Sequence, residues 1–147
     1  MDRKTREQID VINQRIKELN SLYHMAAVKS KISDGEVDIW SALLTTTEEY
    51  SQQDLCEILS LPKQTVNSLI AGMVKKGFVV LEHIPGTRNR KVIRLTEEGR
   101  SYGIEKVQWI FDAEQRAMED TDAAEVQAYV SMLEKYIKKL RKEIEEK

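Results

Sequence analysis

Pro62 is followed in this sequence by five polar side chains that can form hydrogen bonds, and none of them is acidic. They are Lys63, Gln64, Thr65, Asn67 and Ser68. Each can donate a hydrogen bond to a phosphate oxygen or to the edge of a base. The surrounding stretch 59–81, LSLPKQTVNSLIAGMVKKGFVVL, has no aspartate or glutamate, although the chain holds 25 acidic and 23 basic side chains. We therefore expect this segment to meet a negatively charged partner.

A second polar group lies in the turn-forming sequence PGTRNRK. It consists of Arg88, Asn89, Arg90 and Lys91. Ser51 and Gln52 are further candidates, because they stand where a helix begins and a helix N-terminus can bind a phosphate. Simple capping of that helix is the alternative for these two residues. A solvated polar surface is the alternative for the others.

The charge of the chain is unevenly distributed along its length. Residues 51–95 contain 7 basic and 3 acidic side chains, net +4. Residues 1–50 are net −2 and residues 96–147 are net −4. A basic centre between acidic ends favours a polyanion bound by the middle of the chain.

The elements that must position these candidates begin with a long helix, expected over residues 5–29. Thr5 and Gln8 form a capping-box pattern at its start. Its apolar residues recur every three or four positions, at Ile9, Ile12, Ile16, Leu19 and Tyr23. A second helix is expected after Ser33, with Glu36 as the partner in its cap.

Two short helices are expected next, one on each side of Pro62. The first begins with the capping pair Ser51 and Asp54, and its inward residues are predicted to be Leu55, Ile58 and Leu59. Pro62 separates the helices, because the residue before a proline is driven away from helical geometry. The stripe that the second helix buries is predicted to be Val66, Leu69, Ile70, Met73 and Val74. This helix should end at Gly77, which suits a left-handed cap.

The remainder of the chain predicts a hairpin followed by two helices. The runs FVVLEHI and RKVIRLT flank the turn sequence PGTRN. Thr96 is the expected cap of a helix over 97–118, and Asp122 the cap of a helix over 122–146. The last helix has a coiled-coil-like seam at Val126, Tyr129, Leu133, Ile137, Leu140 and Ile144. Because a lone amphipathic helix must cover such a seam, a partner helix is expected.

Helix, short turn, helix and hairpin in this order predict a winged helix-turn-helix, for which residues 51–95 suffice. The fold class is therefore mainly α with a small β-hairpin wing, flanked by N- and C-terminal helices. In such a unit the second helix enters the major groove of DNA with its N-terminal residues facing the bases. The absence of carboxylates, the polar helix start and the basic hairpin tip together favour DNA as the polyanion.

The segment SQQDLCEILSLPKQTVNSLIAGMVKKGFVVLEHIPGTRNRKVIRLTEEG resembles the DNA-binding core of MarR-family transcriptional regulators. The resemblance is strongest at LPKQTVN, KKGFV and RLTEEG, and the flanking helices extend it over nearly the whole chain. It implies a homodimer in which residues 1–32 and 97–147 form a helical dimerisation region and residues 33–96 bind DNA. It also implies repression of nearby genes through a pseudo-palindromic operator, often relieved by a small-molecule effector.

Two positions differ from the pattern of many MarR relatives. Gly86 and Thr87 stand where an aspartate often precedes and supports the wing arginine. Arg88 is the expected wing-tip residue, with Arg90 as the alternative. Ser68 stands where many relatives have an arginine near the middle of the recognition helix, which makes a strong base contact by Ser68 less expected.

Other residue types that could do chemistry are few. Cys56 is expected to be a buried, inert thiol rather than a redox sensor. Two histidines and one cysteine predict no metal site, and no nucleophile–base pair or phosphate loop indicates an enzyme or a cofactor. The side chains that could instead line an effector cleft are Tyr23, His24, Met25, Trp40 and Trp109, but aromatic residues in apolar stripes favour a core role.

The sequence thus predicts a homodimeric, sequence-specific regulator of transcription that binds double-stranded DNA, with repression as the expected activity. The alternative is a winged helix that binds a protein and not DNA. A single cysteine, no signal-peptide pattern and no membrane-length apolar run predict a cytoplasmic location.

Overall fold

The computed structural model describes residues 2–147, which form six α-helices and one two-stranded antiparallel sheet. In chain order the elements are α1 (Arg3–Ser30), α2 (Asp34–Thr45), α3 (Gln52–Leu59), α4 (Lys63–Lys75), β1 (Val79–His83), β2 (Lys91–Leu95), α5 (Glu97–Met118) and α6 (Ala123–Glu145). The predicted fold class, mainly helical with a hairpin wing on a winged helix-turn-helix, is confirmed. The backbone divides into two compact units, Met1–Phe111 and Asp112–Lys147, with the division inside α5. The boundaries expected at residues 33 and 97 separate a DNA-binding region from a dimerisation region and do not refer to these compact units. They stay a prediction.

The core of the first unit surrounds Trp40, which is 1% exposed. The other large side chains that are fully buried are Ile39, Leu55, Val66, Ile70, Val79 and Val107. Phe78 and Tyr102 stack with their ring centroids 4.3 Å apart, and both rings contact Trp40, at 5.9 and 5.6 Å. The core thus joins α2, α3, α4, the hairpin and the first half of α5, and it fixes α4 relative to the wing.

α5 approaches the start of the hairpin very closely at Gly99. A β-carbon there would lie 1.8 Å from the carbonyl oxygen of Phe78, so only glycine fits. The Thr96 hydroxyl donates to the Gly77 carbonyl at 2.6 Å and accepts the Gly99 N–H at 3.0 Å. Thr96 therefore caps α5, as the sequence predicts, and ties this cap to the residues that end α4.

α1 begins differently from the prediction. The Thr5–Gln8 capping box is wrong, because the helix already begins at Arg3. Asp2 is the cap: its carboxylate accepts the N–H groups of Lys4 and Thr5. Asp2 is an equally good acceptor that stands three residues earlier, so Thr5 is drawn into the first turn of the helix.

Two other predicted caps are confirmed. Ser33 accepts the Glu36 N–H at 3.1 Å and begins α2. Asp122 accepts the Ala124 N–H at 2.9 Å and begins α6. In both cases the acceptor and the amide are at most three residues apart, so the signal lies within the local sequence.

The end of α4 is also as predicted. Gly77 has φ +78°, a conformation that glycine adopts without steric cost. The Phe78 N–H donates to the Met73 carbonyl at 2.9 Å and the Gly77 N–H to the Val74 carbonyl at 3.0 Å. This pair of bonds is a Schellman motif, and it turns the chain directly from α4 into the wing.

Two of the predicted inward residues are wrong. Ile58 in α3 is 54% exposed and Val74 in α4 is 40% exposed. On α3 the core-facing side is defined by Leu55, which is fully buried, and by the partly buried Cys56 and Leu59. At about 100° per residue, Ile58 lies about 60° around the helix from Leu55, on the side away from Cys56 and Leu59. Val74 likewise lies at the edge of the buried face of α4.

Candidate nucleic-acid interface

The first two turns of α4 present an uninterrupted polar surface. The five side chains that the sequence singles out here are all exposed: Lys63, Gln64, Thr65, Asn67 and Ser68. On the opposite face Val66, Ile70 and Met73 are 0 to 5% exposed and hold the helix against the core. The hydrophobic effect thus orients the helix so that its polar N-terminal half faces outward.

The N-terminus of α4 differs electrostatically from the other helix starts among residues 2–147. The first turns of α2, α3, α5 and α6 each contain an acidic residue, and the start of α1 is capped by Asp2. α4 has neither an acidic residue in its first turn nor a capping side chain within the described chain. The positive end of the helix dipole is therefore left uncompensated beside Lys63, which favours an anion at this place.

The tip of the hairpin is a tight, well-bonded turn. Ile84 donates its N–H to the Arg90 carbonyl at 2.9 Å, and the Thr87 N–H donates to the Ile84 carbonyl at 3.2 Å. The Thr87 hydroxyl also donates to the Ile84 carbonyl, at 2.7 Å. Gly86 has φ +83°, which the turn requires. Thr87 therefore closes the turn through its own backbone and side chain.

The two wing arginines have different surroundings. Arg90 donates from Nη2 to the Asp54 carboxylate at 2.7 Å, and so connects the wing to α3. Arg88 is exposed and has no ion-pair partner among residues 2–147. Asn89 and Lys91, beside them, are exposed as well. Of the two rival arginines, Arg88 is the one whose guanidinium is available to a new partner.

Asp54 combines two bonding roles. Its Oδ2 atom accepts the Ser51 N–H at 2.9 Å, and the same oxygen accepts the Arg90 guanidinium. The Ser51 N–H and hydroxyl, and then the Arg90 charge, hold the pKa of the Asp54 carboxyl below its usual value. The predicted capping pair is confirmed, whereas the link to a residue 36 positions away was not foreseen from sequence.

Ser51 is occupied by this capping. Its hydroxyl accepts the Asp54 N–H at 3.1 Å, and the residue is only 5% exposed. Of the two interpretations of Ser51, the structure shows the capping role for the side chain. Gln52, the first residue of α3, is half-buried.

Other carboxylates near the wing are held by Arg94. This guanidinium donates to Glu49 at 2.8 Å and to Glu82, the only acidic residue between positions 59 and 95, at 2.5 Å. These bonds, that with Glu49 first, raise the pKa of Arg94. The basic side chains of the winged helix that have no ion-pair partner among residues 2–147 are Lys63, Lys75, Lys76, Arg88 and Lys91. The charge left available on this region is therefore positive.

The residues considered for an effector cleft are spread over several environments. Trp40 is a core residue. Trp109 is 39% exposed and donates from Nε1 to the Ser30 hydroxyl at 2.7 Å. His24 lies 2.9 Å from the Asp34 carboxylate on the surface. Cys56, which is not among these candidates and is predicted to be buried, is partly buried against the core. Of the five candidates, Trp40 thus has the core role that the sequence favours.

Residues 2–147 offer neither a metal-binding cluster nor a membrane-spanning helix. Residues 2–147 contain no group of three or more His, Cys, Asp or Glu side chains placed to hold a metal ion. No helix within that range combines the length and the apolar character that crossing a bilayer requires.

Comparison with known proteins gives one family and a set of similar structures. The MarR family matches residues 41–88. No curated protein sequence is significantly similar to the chain. A MarR family regulator from Neisseria meningitidis has a TM-score of 0.83 at 19% identity, covering 95% of this chain and 97% of its own. A MarR/EmrR family transcriptional regulator from Acinetobacter has 0.73 at 22% identity, covering 94% and 97%.

Two of the similar structures contain DNA. The S. aureus MepR–DNA complex has a TM-score of 0.68 at 17% identity and covers 88% of this chain and 95% of that one. At such identities the structural likeness shows the fold. The match of residues 41–88 runs from the end of α2 through α3, α4 and β1 into the turn of the wing. It contains the segments LPKQTVN and KKGFV and ends before RLTEEG. The family match and the shared fold confirm that resemblance: residues 41–88 match the MarR family, and the chain has the winged helix-turn-helix fold of these structures.

Proposed function

We propose that this protein is a sequence-specific regulator of transcription that binds double-stranded DNA as a homodimer. The observation that carries the proposal is the N-terminal half of α4, which is exposed, polar and free of acidic residues. Phosphate oxygens and base edges are the acceptors that such a surface fits. The S. aureus MepR structure, which has the same fold and holds DNA, supports it by analogy.

The contacts divide between two elements. Residues of α4 enter the major groove, where Gln64 and Asn67 have the side chains for reading bases and Lys63 the charge for a phosphate. Thr65 and Ser68 add shorter hydrogen-bonding groups beside them. The wing residues Arg88, Asn89 and Lys91 contact the backbone or the adjacent minor groove, and Gln52 contacts a phosphate at the start of α3. In this proposal residues 33–96 are the DNA-binding region.

The homodimer is supported by apolar side chains that the single chain leaves exposed. On α1 these are Val11, Ile12, Ile16, Leu19, Leu22, Met25 and Val28, at 39 to 60% exposure. On α6 they are Tyr129, Val130, Met132, Ile137, Leu140 and Ile144, at 40 to 65%. Stripes of this length need a partner surface, and a second copy brings the same stripes. We assign residues 1–32 and 97–147 to dimerisation on this ground.

A dimer of winged helices defines the geometry of its operator. Two recognition helices related by a twofold axis read half-sites about 34–36 Å apart, one turn of DNA. An operator of this kind that overlaps a promoter would block transcription, and a small molecule favouring another dimer geometry would relieve the block. Repression and its relief are the part of the proposal that rests on the family resemblance.

Selection of bound duplexes from a random library tests the proposal directly. We expect a pseudo-palindrome to be enriched and its affinity to fall steeply with salt, because each phosphate contact releases a counterion. Lys63→Gln should reduce the slope of log K against log salt by about one. Lys4→Gln, which removes an exposed charge at the start of α1, is the matched control and should leave the slope unchanged.

The same experiment separates the proposal from a winged helix that binds only proteins. In that case no duplex is retained when heparin competes, and the enriched pool has no common sequence. Repression is tested with the selected operator placed over a promoter that drives a reporter. Unchanged transcription on adding the protein would contradict the repressor assignment while leaving DNA binding intact.

A further inference from the structure

We infer that Asp54 is the residue that positions the wing, acting through Arg90, and that the two wing arginines therefore have separate functions. Arg90 fastens the hairpin tip to α3, whereas Arg88 is the wing cation that contacts DNA. The part that concerns DNA rests on the function proposed above. The part that concerns the position of the wing does not.

The first observation is that Arg90 is held at both ends. Its carbonyl accepts the Ile84 N–H at 2.9 Å, so its main chain closes the turn of the hairpin. Its side chain reaches Asp54 on α3 at 2.7 Å. Arg88 lies two residues earlier, inside the turn, and makes neither kind of bond within the described chain. A guanidinium held in this way transmits the position of α3 to the hairpin tip.

The second observation is that Asp54 is itself rigidly placed. Its carboxylate accepts the Ser51 N–H at 2.9 Å, and its N–H donates to the Ser51 hydroxyl at 3.1 Å. Ser51 is buried, and Leu55, the next residue of α3, is fully buried. The acceptor that Arg90 meets is thus part of a helix cap and not a mobile surface carboxylate. A charge-assisted bond to a fixed acceptor holds a geometry better than one between two flexible side chains.

The third observation is an antiparallel series of contacts between β2 and the segment before α3. Arg94 bonds to Glu49 at 2.8 Å, and the Ile93 N–H donates to the Tyr50 carbonyl at 2.8 Å. The bond from Arg90 to Asp54 continues the series toward the tip. The first two contacts hold the base of the hairpin, and a hairpin held only at its base can pivot about it. The third contact lies closest to the turn and removes that freedom.

The position of the wing in turn sets where Arg88 stands relative to α4. Thr87 closes the turn through the Ile84 carbonyl, so it shapes the tip but does not attach it to another element. Among residues 2–147, Asp54 is the carboxylate that pairs with a side chain of the segment 84–90. It is therefore placed to support the tip of the wing from α3.

The decisive variant is Asp54→Asn, which keeps an oxygen for the Ser51 N–H and removes the charge that holds Arg90. It makes the protein more basic, so if Arg90 were only a DNA contact, binding should tighten. We expect binding to the selected operator to weaken by about threefold to tenfold instead, because the wing loses its position. Tighter or unchanged binding would overturn the inference.

The double variant Asp54→Asn with Arg90→Gln removes the link without changing the net charge. We expect a similar loss of affinity and a salt slope equal to that of the unaltered protein. Arg88→Gln, in contrast, should lower the slope by about one, because it deletes a phosphate contact. Equal reductions of the slope by the double variant and by Arg88→Gln would show that both arginines contact phosphate, against the inference.

Hydrogen exchange of the DNA-free protein tests the position of the wing independently of function. In Asp54→Asn and in the double variant, we expect the Ile84 and Thr87 amides to exchange several times faster, and by a larger factor than the amides of α4. Arg88→Gln should leave the exchange of all these amides unchanged. Arg90→Lys, which keeps a positive charge opposite Asp54, should retain part of the protection that the double variant loses. Unchanged exchange in the double variant would overturn the positioning role even if no DNA were ever bound. Failure of the unaltered protein to bind any duplex would refute the proposed function alone.

Discussion

Helices α4 and α1 have similar apolar periodicity and opposite surroundings. In α4 the stripe of Val66, Ile70 and Met73 is 0 to 5% exposed. In α1, Ile12 and Ile16 are 41 and 39% exposed. α4 is short and is enclosed by α2, α3 and β1, whereas only the end of the 28-residue α1, from Ala26 onward, reaches the core. Periodicity therefore shows that a helix has a face to cover, and the fold decides whether the same chain covers it.

The comparison has a functional meaning. The buried stripe of α4 turns its polar side outward, toward the partner proposed above. The exposed stripe of α1 is itself a surface that a partner must cover. Under the proposed function, α4 is held by its own chain and binds DNA, whereas α1 is stabilised by the second copy in the dimer.

The largest expected effect is on the covered stripe. Ile70→Ala should lower the free energy of unfolding by about 2–5 kcal/mol, because Ile70 is fully buried and its truncation leaves a cavity. The loss should be the same at all protein concentrations, as measured by denaturant unfolding. A loss below about 1 kcal/mol would mean that the α4 stripe is not the closed core described above.

The next effect concerns the exposed stripe. Ile16→Glu places a charge on the proposed contact surface and should dissociate the homodimer, measured by sedimentation at micromolar concentration. The expected cost to association is about 2–3 kcal/mol per interface, since the carboxylate must lose water without a partner. Gln14→Glu introduces the same charge at an exposed position outside the stripe and should leave the dimer intact. If the unaltered protein were monomeric, the proposal that a second copy covers the α1 stripe would be wrong.

A smaller effect, which depends on pH, is expected for the contribution of Asp54 in α3 to stability. The folded state lowers the pKa of Asp54, so its contribution to stability is present above the unfolded value of about 3.9. That contribution is lost as the pH falls through the folded pKa. Asp54→Asn should therefore cost more stability at pH 6 than at pH 2.5. Thermal unfolding at both pH values measures the difference, and an equal cost at the two would contradict the ionic contribution of Asp54.

The smallest effect is expected where an apolar residue on the winged helix is exposed. Ile58→Gln should change the free energy of unfolding by no more than about 0.5 kcal/mol, because Ile58 is 54% exposed. Leu55→Gln on the same helix, at a fully buried position, is the contrasting change and should be strongly destabilising. Chemical denaturation of both variants would show whether α3 faces the core as described. A large loss at Ile58 would place it on a covered surface.

Local signals were the most predictable part of the structure. The caps at Ser33, Ser51 and Asp122 and the left-handed Gly77 were all foreseen, since each depends on atoms within a few residues. The error at Thr5 has the same origin: two acceptors, Asp2 and Thr5, compete within one turn, and the earlier one caps the helix.

The orientation of a helix in the fold is less predictable from sequence than its presence. The helices α3 and α4 were expected, but Ile58 and Val74 were assigned to the buried side and are exposed. A stripe in sequence covers about a third of a helix surface, and its edges are buried or not according to how the neighbouring elements pack. Likewise, Arg88 and Arg90 could not be distinguished from their sequence, because Asp54 is far from both along the chain.

By itself, the sequence determined the order of elements, the ends of most helices, the winged helix-turn-helix and the exposed polar, acid-free start of α4. These follow from propensity, capping and hydrophobic periodicity, which act over a few residues. Tertiary structure alone decided that Arg90 is fastened to Asp54 while Arg88 is left unpaired, that Gly99 lies against Phe78, and that the α1 stripe stays uncovered. These features depend on which surfaces come into contact when distant segments pack. Local sequence patterns extend over only a few residues and do not predict such contacts.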